Sequence, residues 1–200
     1  MNFFYPPQPT RLWPNAPILK QFDANPNYDS EIKYNGWRLE IHIDPKCPIF
    51  YNRHGTIINI DSNKFDFKKV PPLTVFDGEL INFRTKDVKN IVVLWDCMFW
   101  AGKDLRNLPL IQRRSFLEGF QAAPNSLSKE HEYKVFRTSQ MKLSIKFYDL
   151  IVKKNDPLEE GIVVKNIQSK YDWSVKGSFD TANWFKIKKI GDASLVSREI

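Results

Sequence analysis

From Leu39 the chain alternates apolar and polar residues, Leu39-Glu40-Ile41-His42-Ile43. A period of two is the signature of a half-buried strand. Gly36 marks a bend near its start, and the stretch from Lys33 to Ile43 reads as one strand. Pro48 to Arg53 and Ile57 to Ile60 read as a hairpin around His54-Gly55. Thr74 to Phe83 alternates again, with Val75, Asp77, Glu79 and Ile81 on one side. Asn90 to Phe99 is a nearly continuous apolar run, typical of a central strand. Pro109 to Ala122 changes period. Leu110, Ile111, Phe116, Leu117 and Phe120 make one helical face there, with Gln112, Arg113, Arg114 and Glu118 largely opposite. Further on, Tyr133 to Arg137 reads as a strand and Ser144 to Lys153 as a helix. Gly161 to Asn166 and Trp184 to Lys189 are strands, joined by a polar loop from Ile167 to Asn183. Together these predict an α+β fold of mostly antiparallel sheets with a few helices outside.

The first 17 residues carry five prolines. They are expected to form an extended Pro-rich N-terminal arm (1–17) rather than a regular helix or central strand, followed by one helical turn from Ile18 to Phe22. The arm lacks a basic segment followed by an apolar one, so it does not read as a signal peptide. No apolar run is long enough to span a bilayer. Cys47 and Cys97 make no disulfide framework, and the histidines show no metal-ligand spacing. The expected location is therefore intracellular and cytoplasmic, with no membrane partner. A net charge of +7 favours a polyanionic partner such as nucleic acid or nucleotide.

Several charges stand inside strands. Asp77 and Glu79 interrupt Val75–Ile81, and Glu160 leads into Gly161-Ile162-Val163-Val164-Lys165. Lys186 and Lys188 alternate with Phe185 and Ile187, so they share one strand face. Each alone reads most simply as a solvated position. Together with Lys33 they point to a cleft lined by lysines and carboxylates.

The order of these stretches carries a resemblance. Lys33-Tyr34-Asn35-Gly36-Trp37-Arg38 resembles the K-x-D-G-x-R motif of covalent nucleotidyltransferases, the superfamily of polynucleotide ligases and mRNA capping enzymes. Asn52-Arg53-His54-Gly55 is similar to its S-R-x-G element, and Phe76-Asp77-Gly78-Glu79-Leu80 to its D-G-E-L strand. Val93-Leu94-Trp95-Asp96 resembles the next motif, in which an aromatic precedes an aspartate. Glu160-Gly161-Ile162-Val163-Val164-Lys165 looks like E-G-h-V-x-K, and Trp184-Phe185-Lys186-Ile187-Lys188 like the terminal W-h-K-h-K. The connector through Gly102-Lys103-Asp104-Leu105, Pro109-Leu110 and Arg113-Arg114 is similar to that of ATP-dependent DNA ligases. One such motif is weak; six in order are strong.

The resemblance implies an ATP-grasp-like nucleotidyltransferase (adenylation) domain over 18–189, with 190–200 beginning a linker towards an OB-fold domain that this stretch does not include. It implies that Lys33 attacks the α-phosphate of ATP, forming a lysyl-AMP. A lysine amine, with an ordinary pKa of about 10.4, is neutral in roughly one molecule in 2,500 at pH 7. Crowding by Lys165, Lys186 and Lys188 is expected to favour its neutral form and to bind the phosphate. Arg38 and Glu79 are expected on the ribose, Trp95 on the purine face, and the backbone of Glu31 and Ile32 at the base edge. Arg53 is expected on the ribose or a 5′-phosphate, and Glu160 at Mg2+ (or Mn2+).

Asn35 departs from the motif, which has aspartate; the amide keeps hydrogen bonding but not charge. Slower chemistry or a different metal optimum is the expectation. The reading that follows is an ATP-dependent DNA ligase acting as a monomer on nicked duplex DNA, including RNA-containing duplexes. A phage or virus source and a separate partner supplying the OB-fold function are part of it. Rival readings are an RNA ligase, a GTP-dependent capping guanylyltransferase, and a weakly catalytic nucleic-acid-binding domain.

Overall fold

The computed structural model describes residues 2–82 and 88–190 of the 200-residue chain. Met1 of the arm, Phe83 at the end of one predicted strand, and 191–200 of the expected linker lie outside the described residues. The chain divides into two compact units. One comprises Met1–Pro7, Gly36–Thr138 and Ser169–Phe179; the other comprises Gln8–Asn35, Ser139–Gln168 and Asp180–Ile200.

The second unit is built on a four-stranded sheet. Its strands are β1 (Gln8–Leu12), β2 (Tyr28–Tyr34), β9 (Glu159–Asn166) and β10 (Asp180–Lys188), in the order β1-β10-β9-β2. Helices α1 (Ala16–Ala24) and α3 (Ser144–Lys154) cover one face. Leu19, Phe147, Tyr148, Ile151 and Val152 from the helices pack on Ile162, Val164 and Ile187 from the strands, with Leu12, Ile32 and Phe185 at the margin. Burying a side chain of this size is worth about 1.5–3 kcal/mol, and alternation sends the intervening residues to the opposite face. α3 ends on Asn155 in the left-handed conformation (φ 47), which asparagine tolerates.

Within the Pro-rich stretch, Gln8–Leu12 is a strand, though not a central one. It lies at the sheet edge and pairs parallel with β10, with an irregularity at Pro9/Thr10. An edge tolerates the missing proline N–H. The expected single turn near Ile18 is the full helix α1, with proline in its first turn.

The first unit carries a six-stranded sheet. β3 (Trp37–Ile43), β4 (Pro48–Asn52), β5 (Thr74–Ile81), β6 (Ile91–Trp100) and β7 (Lys103–Asp104) run in the order β4-β3-β5-β6-β7, and β8 (Val135–Arg137) pairs parallel with β6. The core gathers Leu39, Ile41, Phe50, Phe76, Leu80, Leu94 and Leu117. The other face of β3 and β5 presents Arg38, Glu40 and His42 opposite Glu79, Asp77 and Val75.

Three expectations change here. The Lys33–Ile43 strand is two strands: β2 ends at Tyr34 and β3 starts at Trp37, in different sheets. Gly36 is the break, because a Cβ there would lie 2.6 Å from both Glu79 Cγ and the Leu80 carbonyl oxygen. The hairpin around His54-Gly55 keeps only its first strand, with Ile57 making an isolated bridge to Tyr51. The helix predicted over Pro109–Ala122 is only α2 (Leu110–Ser115). There the Ser115 hydroxyl donates to the Gln112 carbonyl at 2.7 Å, a local bond that competes with helix continuation.

Candidate active site

The face of the β1-β10-β9-β2 sheet opposite the helices carries the charged residues. Lys186 and Lys188 project from β10 on the side opposite Phe185 and Ile187. Register places both Lys188 and Lys33 opposite Gly161 of β9, so one short residue lies between the two lysines. A Cβ on Gly161 would sit 2.0 Å from the Ile187 carbonyl oxygen, and its φ is +148. Only glycine fits such a close approach. The sequence signal for this is the Glu160-Gly161 dipeptide itself.

Glu160 ties the lysines together. Its Oε2 accepts from Lys33 Nζ at 2.6 Å and lies 2.9 Å from Lys188 Nζ. Burial by itself would raise this carboxyl, but the two lysines prevail and hold it below the usual carboxylate range. Lys186 is held below the ordinary lysine range, first by burial and then by Lys33, Lys188 and Arg11, against the pull of Asp180. Lys165 is buried, pairs with Glu31 at 2.7 Å, and stands 4.6 Å from the Trp184 ring centre. Gln140 also donates to Glu31, at 3.2 Å. The lysines expected to crowd Lys33 are thus partly neutralised, Lys188 by Glu160 and Lys165 by Glu31. Ile32 packs towards the helices, and its backbone and that of Glu31 are paired with Ile162 and Val163.

Asn35, the motif departure, donates from Nδ2 to the Pro157 carbonyl at 3.2 Å, while its N–H bonds Leu158 O at 2.7 Å. An ionised aspartate could not make the first of these bonds. The amide therefore has a local partner of its own in the loop before β9.

The other unit holds Arg38, Glu79, Trp95 and Arg53. Asp77 grips Arg38 through both carboxylate oxygens, at 2.9 Å to Nε and 2.5 Å to Nη2, and the Pro7 carbonyl accepts from Nη1. Burial alone would lower the Arg38 value, yet the Asp77 carboxylate raises it. Tyr171 donates to Asp77 Oδ2 at 2.7 Å. The sequence marks Asp77 as a charge inside a strand but not its pairing with Arg38, and it gives no signal for Tyr171, which lies in the segment that reads as a loop. Glu79 Oε1 accepts from the Gly36 N–H at 3.0 Å.

Trp95 has a conformational signature. Asp77 pairs with Asp96 and Gly78 with Leu94, so Trp95 is the extra residue of a β-bulge. Bulges re-aim side chains. In β6 every residue from Ile91 to Phe99 is buried except Trp95, whose ring lies 5.5 Å from the Arg38 guanidinium. Two α2 arginines hold Trp95 and the residue after it. Arg114 donates to the Trp95 carbonyl at 2.9 Å, and Arg113 makes a two-point bond to Asp96 at 2.9 and 2.8 Å. The helical pattern placed both arginines towards solvent, yet Arg113 is 0% and Arg114 8% exposed. Arg53 stands exposed in the turn after β4, bonded to His54 at 3.0 Å.

Around Glu160 the cations outnumber the carboxylates, an environment that suits phosphate oxygens. Among the described residues, no three His, Cys, Asp or Glu side chains are grouped to hold a metal. A lone carboxylate such as Glu160 suits a divalent ion when phosphate oxygens and water complete the ligand set.

Comparison with known proteins fixes the family. Residues 62–188 match the family described as ATP dependent DNA ligase domain. The chain belongs to that family. It is 26% identical over 188 residues to the DNA ligase of Vaccinia virus (strain Ankara), covering 80% of this chain and 31% of that protein. It is 25% identical over 210 residues to DNA ligase 3 of Schizosaccharomyces pombe, covering 87% and 26%. The chain thus spans about a third or less of the length of these curated ligases. Among solved structures, mycobacterial DNA ligase D complexed with ATP and MES aligns at TM-score 0.63 and 16% identity, over 92% of this chain and 60% of that one. The ATP-dependent DNA ligase from bacteriophage T7, in complex with ATP, aligns at 0.53 and 15%, over 92% and 68%. The expected fold, α+β with antiparallel sheets and few helices, is the fold of these ligase structures. Among the described residues, no helix is long and apolar enough to cross a membrane.

Proposed function

We propose that the chain provides the adenylation chemistry of an ATP-dependent DNA ligase, with Lys33 as the nucleophile. The observation that carries this reading is the sharing of Glu160 Oε2 by Lys33 and Lys188. The Lys33 nitrogen forms a bond to the α-phosphorus of ATP, the bond to pyrophosphate breaks, and the amine gives up a proton. Glu160 is the acceptor already in contact with that amine. Held below its usual range, it is a poor resting place for a proton, so it positions Lys33 and hands the proton to solvent water. As the α-phosphate arrives, Lys188 and Lys186 offer it the positive charge now balanced by Glu160 and Asp180.

Glu160, with phosphate oxygens, would hold Mg2+ (or Mn2+), which when bound neutralises charge developing on the phosphates. Trp95 takes the purine face, Arg38 and Glu79 the ribose, the Glu31–Ile32 backbone the base edge, and Arg53 the ribose or a 5′-phosphate. Lys165 completes the basic set from its pair with Glu31. In the second step a 5′-phosphate at a DNA nick takes the AMP from Lys33. In the third, the 3′-hydroxyl displaces AMP and seals the strand. The poxvirus ligase relatives support a virus-encoded chain acting inside the cell. We infer a monomer, with an OB-fold function supplied by further chain or by a separate partner.

Intact mass after incubation with ATP and Mg2+ tests the first step. The chain is expected to gain one AMP and lose it on adding nicked DNA, whereas Lys33→Ala gains none. No gain, or a gain that survives Lys33→Ala, overturns the assignment. GTP in place of ATP, and nicked RNA in place of nicked DNA, separate capping and RNA joining from this reading.

A further inference from the structure

The basic face extends one strand beyond the family motifs. β1 pairs parallel with β10, and the register sets Arg11 beside Lys186 and Leu12 beside Ile187. Leu12 and Ile187 point into the helix-side core. Arg11 therefore points the other way, onto the face of Lys186, Lys188 and Lys33, with neighbouring strands about 4.8 Å apart. The positive charge of Arg11 is among the causes that lower Lys186. Among the described residues Arg11 forms no ion pair with a carboxylate. Its guanidinium instead lies 4.6 Å from the ring centre of Trp13, which is 65% exposed.

These features are expensive as mere surface. Adjacent unpaired cations repel, and an indole left mostly in water forgoes much of its burial energy. A guanidinium stacked on an aromatic ring keeps its N–H edge free for two-point contact with an anion. The exposed indole beside it offers a flat surface for a base. An isolated pyrophosphate has no use for such a surface; a polynucleotide strand does.

We propose that Arg11 and Trp13 form a polynucleotide subsite at the β1 edge, beside Lys186, in which Arg11 grips a backbone phosphate and Trp13 stacks on an adjoining base. This rests on the nucleotidyltransferase reading for its substrate class and adds a contact outside that reading's residues.

The test is the salt dependence of binding to a nicked, 5′-phosphorylated DNA duplex. One phosphate contact contributes about 0.9 to the slope of log K against log salt. Arg11→Gln is expected to flatten the slope by about one unit. Trp13→Ala is expected to weaken binding several-fold at every salt concentration. Lys153→Gln serves as the control, since Lys153 is exposed on α3, the helix on the opposite face. Equal slopes for wild type and Arg11→Gln overturn the proposal, as does an equal change in Lys153→Gln. A defect of Arg11→Gln confined to pyrophosphate-driven reversal of adenylation also overturns it, assigning the site to the nucleotide. Unfolding midpoints confirm that the variants are folded. Binding is read without any adenylation step, so failure of the Lys33 assignment and failure of this subsite are separately visible.

Discussion

The ion pairs beside Trp95 and those beside Lys33 work in opposite ways. In the unit of β3–β8, arginines are locked. Arg113 and Asp96 are 0% exposed on both sides, and Arg113 also donates to the Leu108 and Ser169 carbonyls at 2.5 and 3.0 Å. Arg38 is similarly held by Asp77 and Pro7. In the unit of β1, β2, β9 and β10, two lysines share one carboxylate oxygen, and the Lys188 side chain remains 45% exposed. A planar guanidinium gripped at two points has one geometry. An ammonium on a flexible stem can leave one oxygen for another. The difference separates charges that fix backbone, beside Trp95, from charges free to exchange a carboxylate for a phosphate.

Removing one partner from the locked set should have the largest effect. Arg113→Met leaves Asp96 buried with the Cys97 N–H as a remaining donor, at 2.8 Å. Breaking a buried pair in this way costs about 3–5 kcal/mol. Denaturant unfolding is expected to show that loss, and Asp96→Leu on the same chain should recover much of it, since an apolar replacement of the whole pair is often neutral. A loss under about 1 kcal/mol for Arg113→Met would mean the pair is not locked in solution, on the scale set for exposed pairs.

Gly161→Ala should come next. The added Cβ meets backbone, not a movable side chain, so β9 and β10 must shift. Overpacking of this kind costs about 1–3 kcal/mol. Because Lys33 and Lys188 both face Gly161, the adenylation rate should fall further than stability does. Full adenylation at wild-type stability would show that the spacing is not what positions the two lysines.

The comparison also shows what could be read from residue order alone. The alternation of Lys186 and Lys188 and the position of Glu160 before glycine led to one strand face, and there the structure joins them to Lys33. The burial of Arg113 and Arg114 was not legible. Helical periodicity weighs residues on their own helix, and the partner Asp96 comes from a strand seventeen positions earlier. The start of β2 was hidden for the same reason. Asp29 and Glu31 look like surface charges, but each is paired, with Lys142 and Lys165. Gln8–Leu12 was hidden by its proline, which counts against a strand unless an edge is known to be available. The turn at Asn35-Gly36 read as a bend within one strand because the glycine signals a change of direction, not a change of sheet.

The smallest effect, and the finest discriminator, is pH. The Glu160 carboxyl is lower in the folded chain than ordinary, because Lys33 and Lys188 outweigh its burial. A lowered folded value means the unfolded chain binds the proton more readily. The stabilisation is therefore complete above the unfolded value of about 4.3 and is lost as pH falls through the folded one. Glu40 and Glu159 are shifted the other way, chiefly by burial, so the raw stability curve mixes signs. Subtracting the curve of Glu160→Gln, which cannot titrate at that position, isolates the one group. The difference between the two proteins should stay level from pH 7 to about 5 and shrink below about 4. Added salt should reduce it, because the pair is partly open to solvent. A difference that grows on acidification would place Glu160 among the buried, raised carboxyls, and the lysines would then not be sharing it. A flat difference at every pH would mean that the carboxylate is unpaired in solution, removing the contact on which Lys33 is positioned.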